Sequence, residues 1–277
     1  MNTPQGYPPL PQPLAVPVAD AHCHLDISHN TPAPDLGAAL ALAAAVGVDR
    51  IVQVGCDNRT WELSLAAAEH PGVVVALGIH PNGAPGLAAA GLLGVELNRL
   101  AELLAHPRVR GVGETGLDYF RTGPDGRAAQ VESFRAHIGL AKALDLTLVI
   151  HDRDAHDDVV AVLLEEGAPD RVQFHCFSGG PELAHIAAKH GWYCSFAGPV
   201  SFKSNDQLRA ALLVLPVDLL LVETDAPFLT PVPHRGKPNA SYLIPLTVRA
   251  MADARGTDED SLVAALSANS ERLFGPW

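Results

Sequence analysis

The chain has 277 residues, 48% of them hydrophobic and 18% charged, and 31 acidic against 19 basic residues leave a formal net charge of −12. That length allows one large α/β domain or two smaller ones with a substantial core, while the acidic balance argues against gripping nucleic acid through a broad basic face. It does not exclude a nuclease whose bound metal ions supply local positive charge, and no apolar run is long and uninterrupted enough to span a bilayer.

The opening MNTPQGYPPLPQPLAVPVAD has no basic segment followed by an apolar one and no twin arginine, so no export signal is expected and the cytoplasm is the default location. Its prolines predict an extended arm over residues 1–17. The first strand, VADAHC (18–23), runs into DAHCHLD, where His22 and His24 flank Cys23 with Asp20 and Asp26 nearby. In an extended segment alternate side chains share a face, so the two histidines point one way and Cys23 the other. Paired imidazoles with neighbouring carboxylates suit a divalent cation. An isolated H-x-H is weak evidence by itself, since short polar runs put histidines together by chance, and the plainer reading of surface imidazoles is favoured until the rest of the chain is read.

Seven more apolar runs read as strands: RIVQVG (50–55), VVVALGI (73–79), VRGVGE (109–114), LTLVIH (146–151), RVQFHC (171–176), WYCSFA (192–197) and LLLVET (219–224). Helical spacing predicts helices over 35–46, 59–70, 91–106, 128–144, 157–166, 181–190, 205–215, 242–254 and 258–273, with Asn58 and Asn205 as N-caps. Eight β-then-α units predict a single-domain (β/α)8 barrel over residues 18–277. The competing fold, an open doubly wound sheet, usually carries a Gly-rich phosphate turn after its first strand, and DAHCHLD is not one. Residues 121–126 and 231–239 read as longer excursions over the strand ends. Cys23, Cys56, Cys176 and Cys194 lack CxxC spacing, which argues against a zinc finger or disulfide framework and favours ordinary buried thiols.

A barrel of this kind carries its chemistry at the C-terminal ends of its strands. His22 and His24 end the first strand, His80 the third, Glu114 the fourth, His151 the fifth, His175 the sixth and Asp225 the eighth. Any one of them has a plain alternative as a carbonyl or helix cap, but together they form one polar rim. Imidazoles and two carboxylates can hold two divalent ions if one carboxylate bridges them, with Zn²⁺, Mn²⁺ or Mg²⁺ as the ions. The remaining histidines, His29 and His137 among them, fall in loops or helices and are expected to be mostly solvated.

DAHCHLD, GIHP (78–81), GETGLDYF (113–120), VIHDRDAHDD (149–158), HCFSGG (175–180), VETDAPFLTPVPHRGKPN (222–239) and NSERLFG (269–275) together resemble the TatD-type metal-dependent deoxyribonucleases of the amidohydrolase superfamily. The resemblance covers nearly everything after the arm. It implies that His22 and His24 bind one metal, that Glu114 bridges two, and that His151 and His175 bind the second. It further implies that Asp225 completes the first site and orients or deprotonates the attacking water, that His80 faces the substrate phosphate, and that Asp118 and Arg153 support the ligands or contact phosphate. The implied activity is 3′→5′ exonuclease hydrolysis of DNA. One departure concerns Asn239, which is followed by Ala240 and Ser241 where the family commonly has Glu-Pro. It bears on the shape of a substrate-facing loop and leaves the metal ligands untouched.

Two other enzymatic readings stay open at this point: hydrolysis of a small ester, amide or lactone, and deacylation of aminoacyl-tRNA. Related barrels often bridge their metals with a carboxylated lysine at the end of strand four, and Glu114 in that place favours the nuclease. A non-catalytic metal-binding protein is disfavoured because every ligand type is retained. With a net charge of −12, attraction for DNA must be local, from the metals and from Arg153, Lys203, Arg235 and Lys237 on rim-side loops. A single-stranded or frayed end is the expected substrate, and neither a membrane nor an obligate protein partner is implied.

Overall fold

In the computed structural model, residues 3–28, 32 and 34–277 are described, so His29 lies outside the described residues. Eight parallel strands pair in chain order: β1 (Val18–Cys23), β2 (Val48–Gly55), β3 (Val73–Leu77), β4 (Val109–Asp118), β5 (Thr147–Arg153), β6 (Val172–Phe174), β7 (Tyr193–Phe196) and β8 (Leu220–Val222). Among the described residues ten α-helices alternate with them or follow them: α1 (Leu36–Ala44), α2 (Trp61–Ala67), α3 (Ala84–Ala89), α4 (Leu93–Leu103), α5 (Pro124–Leu144), α6 (His156–Glu166), α7 (Pro181–His190), α8 (Asp206–Val214), α9 (Ile244–Arg255) and α10 (Glu259–Phe274). The result is a single-domain (β/α)8 barrel, nearly closed.

The strands are apolar almost throughout because both faces are covered. Alternate residues Val52 and Val54, Val74 and Ala76 point inward and pack with Ala21, Val149 and Leu221, while Leu273 and Phe274 of α10 join this inner cluster. Val73, Val75 and Leu77 belong to the outer layer, with Phe134 and Ile138 of α5. Closure between β8 and β1 rests on few bonds. Asp225 N–H donates to His22 O at 3.0 Å and His24 N–H to Ala226 O at 2.8 Å. The fully buried Asp20 carboxyl accepts from Thr224 N at 2.9 Å and Thr224 Oγ1 at 2.6 Å. Burial lifts that carboxyl to about 7 against those hydrogen bonds.

Several boundaries differ from the sequence reading. β4 continues to Asp118, four residues beyond Glu114, because the Gly-rich GETGLD stays paired with β5. β6 stops at Phe174 and β8 at Val222, so His175 and Asp225 sit on backbone beyond the ladder. The segment 84–89 forms the unexpected short α3, with Pro85 in its first turn, where a missing N–H costs nothing. Asn58 is not a cap, since Thr60 holds that position at α2. Asn205 does precede α8, but its amide donates to Pro199 O at 3.0 Å instead of capping. Among the described residues no helix is long and apolar enough to cross a membrane.

Candidate metal centre

Glu114 organises the C-terminal mouth of the barrel, and its two oxygens face two different sets of side chains. Oε2 lies 3.5 Å from His22 Nε2 and 3.8 Å from His24 Nε2. Asp225 Oδ1 closes that set, 3.9 Å from His22 Nε2 and 3.4 Å from His24 Nε2. Oε1 lies 2.8 Å from His175 Nε2, 2.5 Å from His151 Nδ1 and 3.3 Å from His80 Nε2. The structure therefore brings together all seven strand-end residues singled out in the sequence.

This arrangement fits divalent cations. Ligand atoms at 2.0–2.2 Å from a tetrahedral ion stand about 3.4 Å apart, close to the spacing on the Oε2 side. Both ring nitrogens of His22 are buried without a hydrogen-bond partner, although the residue is wholly buried. A native site rarely leaves such an atom unsatisfied unless an unseen partner takes it. Burial, and His175 stacked on it at 3.9 Å, push the His22 ring down toward the neutral form that ligates metal. Burial alone would raise the Glu114 carboxyl, yet His175, His80 and His151 hold it well below the usual range. The Asp225 carboxyl is lowered in the same way: burial opposes the shift, and His24, His175 and His22 outweigh it.

A surrounding layer holds these side chains in place. Glu223, fully buried, accepts from Cys176 N at 2.7 Å and faces His175 Nδ1 at 3.3 Å, which turns His175 Nε2 toward Glu114. Asp118 faces His151 Nε2 at 3.3 Å and accepts from Asn82 Nδ2 at 2.8 Å. His24 Nδ1 meets Val54 O at 3.1 Å, which leaves Nε2 for the centre. Asp225 and Cys176 take left-handed backbone conformations, φ 52° and 42°, the kind of local strain that collects where side chains must be aimed at a site. His137, expected among solvated histidines, is instead wholly buried on α5. Its Nε2 accepts from Ile79 N at 3.0 Å, its Nδ1 lies 2.7 Å from Ser133 O, and burial lowers the ring to about 4.

The centre opens into a cleft of about 700 Å³. His80, Asp118, Arg153 and also Arg121, which the sequence reading passed over, line it. Arg153 lies over the Phe120 ring at 3.9 Å. Arg235 stacks on Phe202 at 4.1 Å, and neither it nor Lys237 lines the cleft. Ala240 and Ser241 line a small neighbouring pocket with Tyr7 and Tyr242. Cys23 is buried in the outer layer, away from His22 and His24, whereas Ala21 two residues earlier packs in the inner cluster, because the β1–β2 register shifts between Asp20 and Cys23. Cys176 lies beyond the end of β6, where alternation no longer applies, and it lines the cleft. Cys56 was read as an ordinary buried thiol. Its Sγ stands 3.5 Å from Glu114 Oε2 and 3.9 Å from His24 Nδ1. The signals missed in the sequence were the Glu of VETDAP and the cysteine ending RIVQVGC, both at strand ends.

The sequence profile of the TatD related DNase family matches residues 19–275. An uncharacterized metal-dependent hydrolase TatD of Mycobacterium tuberculosis is 42% identical over 263 residues, 93% of this chain and 98% of the relative. The uncharacterized metal-dependent hydrolase YcfH of Escherichia coli is 36% identical, over 93% of this chain and 95% of its own length. Among solved structures, the TatD homolog YjjV of Escherichia coli superimposes with a TM-score of 0.84 at 28% identity, covering 94% of this chain and 98% of that one.

Proposed function

The chain belongs to the TatD related DNase family and is a metal-dependent hydrolase, and on that premise we propose that it hydrolyses DNA phosphodiesters, shortening single strands from the 3′ end. The observation that carries this reading is the division of Glu114, with His22, His24 and Asp225 gathered at Oε2 and His151, His175 and His80 at Oε1. Two divalent cations, Mg²⁺, Mn²⁺ or Zn²⁺, bound on either side of that carboxylate would supply Lewis acidity and a water of lowered pKa. His22, His24 and Asp225 would hold the first, His151 and His175 the second.

The chain's own groups do the rest. Asp225 Oδ1 orients the attacking water and takes its proton. His80 faces the phosphate across the cleft, and Arg153, braced on Phe120, offsets its charge. Asp118 holds His151 through Nε2. Arg235 and Lys237, outside the cleft, meet the strand only beyond the scissile phosphate. An acidic surface with so few cations at the mouth disfavours long duplex and admits a single-stranded or frayed end. DNA in the cytoplasm is the partner this reading requires, with no obligate protein partner.

The test compares linear with closed circular single-stranded DNA over a panel of divalent ions and several salt concentrations. The linear strand should shorten progressively from its 3′ end while the circle survives. With two or three phosphate contacts, the logarithmic salt slope of binding should be no steeper than about −2. Rapid cutting of the circle, or a much steeper slope, would refute the end-directed, locally held mode.

A further inference from the structure

Cys56 follows directly on β2, one residue past Gly55, and its Sγ enters the mouth of the barrel between His24 and Glu114. It lines the main cleft together with His24, Glu114 and Asp225. The carboxylate oxygen it approaches at 3.5 Å is Oε2, the same atom that faces His22 Nε2 and His24 Nε2. A sulfur at about 2.3 Å and an oxygen at about 2.1 Å from one ion of more than four ligands stand about 3.1–3.8 Å apart at ligand–metal–ligand angles of about 90–120°. The S···O contact, a hydrogen bond from the Cys56 thiol to the carboxylate, falls in that range, and His24, Cys56 and Glu114 offer ligand atoms within 4.8 Å of one another. A second, independent observation points to the same place: the wholly buried His22 ring, aimed at Oε2, has no hydrogen-bond partner on either nitrogen.

We propose that Cys56 is an additional protein ligand to the ion on the Oε2 side of Glu114, making that half of the centre selective for thiophilic borderline ions such as Zn²⁺ over Mg²⁺. This rests on the two-cation reading of the site. On binding, the S–H bond breaks, a sulfur–metal bond forms, and the proton passes to solvent, so the charge of the ligand set rises by one negative unit. Soft thiolate favours zinc and cobalt over magnesium, whereas imidazole and carboxylate alone discriminate less. The two halves of the centre thereby become chemically unlike, a sulfur-bearing set at Oε2 and an imidazole set at Oε1 open to a hard ion.

The test uses full-length protein stripped of metal and reloaded with Co²⁺, whose thiolate complexes show an intense sulfur-to-metal charge-transfer absorption in the near ultraviolet. The parent should show that absorption. Cys56→Ser should bind the same number of cobalt ions without it, and its Zn²⁺ affinity should fall at least about tenfold while Mg²⁺ affinity changes little. Cobalt bound without a sulfur band in the parent would overturn the proposal and leave the His/Glu/Asp centre standing. A band that survives in Cys56→Ser and vanishes in Cys176→Ser would overturn it too, by assigning the sulfur elsewhere. No cobalt bound to the parent at all would overturn both the proposal and the metal-centre reading beneath it.

Discussion

His137 is buried without charge, and its effect on stability should depend on pH with a defined sign. The ring falls from an ordinary 6.5 to about 4 in the folded state. A group depressed on folding contributes stability that is present above its unfolded value and lost as the pH falls through the folded one. At about 1.4 kcal/mol per pH unit, the drop from 6.5 to about 4 amounts to roughly 3 kcal/mol lost between near-neutral pH and pH 4. His137→Phe removes that liability and also the acceptor for Ile79 N–H and the donor to Ser133 O. Orphaning a buried amide costs about 1–3 kcal/mol. At pH 7.5 the variant should therefore be the less stable protein. By pH 4 the gap should close or reverse, because only the parent must protonate a buried ring. Urea unfolding of both metal-free proteins from pH 4 to 8 reads the difference directly. A stability gap constant across that range would refute the assignment of His137 as a neutral, structural ring.

Two further substitutions probe how the centre is held. Glu223→Gln keeps the size of the side chain but removes the charge that turns His175, and metal affinity should fall about 10–100-fold in a calorimetric titration with the fold intact; an unchanged affinity would mean that His175 is oriented by something else. Gly116 has φ +133°, and a Cβ there would lie 2.1 Å from His151 O. Gly116→Ala should therefore pry β4 from β5, costing at least about 3 kcal/mol, and an unchanged melting temperature would contradict the register given for these strands.

The barrel was legible because its evidence is repeated and local. Eight apolar runs alternate with helical spacings, and β1 coincides with the apolar run at 18–23. The strand-end histidines were legible for the same reason, since barrel topology brings the ends of all strands to one rim. What sequence could not supply was contact between neighbouring strands. Cys56 and His24 are 32 residues apart and meet only because β2 lies beside β1. Glu223 hid beside Asp225, its orienting role visible only once His175 was seen against it. His137 was misjudged because a histidine on a long amphipathic helix carries no mark of which face it occupies. β4 was cut short because its apolar run ends at Glu114, whereas the glycines of GETGLD permit close approach to β5 and carry the pairing on to Asp118.

The central claim, that Glu114 unites two cations into one hydrolytic centre, is tested most directly by stepwise metal reconstitution. Metal-free protein is titrated with Mn²⁺ or Zn²⁺ while release of nucleotides from a 5′-labelled single strand is followed, for the parent and for Glu114→Gln. The parent should be inactive without metal and reach full activity near two equivalents, and the variant should lose activity by several orders of magnitude together with the binding of at least one ion. Full activity of the exhaustively stripped parent, or a Glu114→Gln protein that binds two ions and cleaves at the parent rate, would contradict the account.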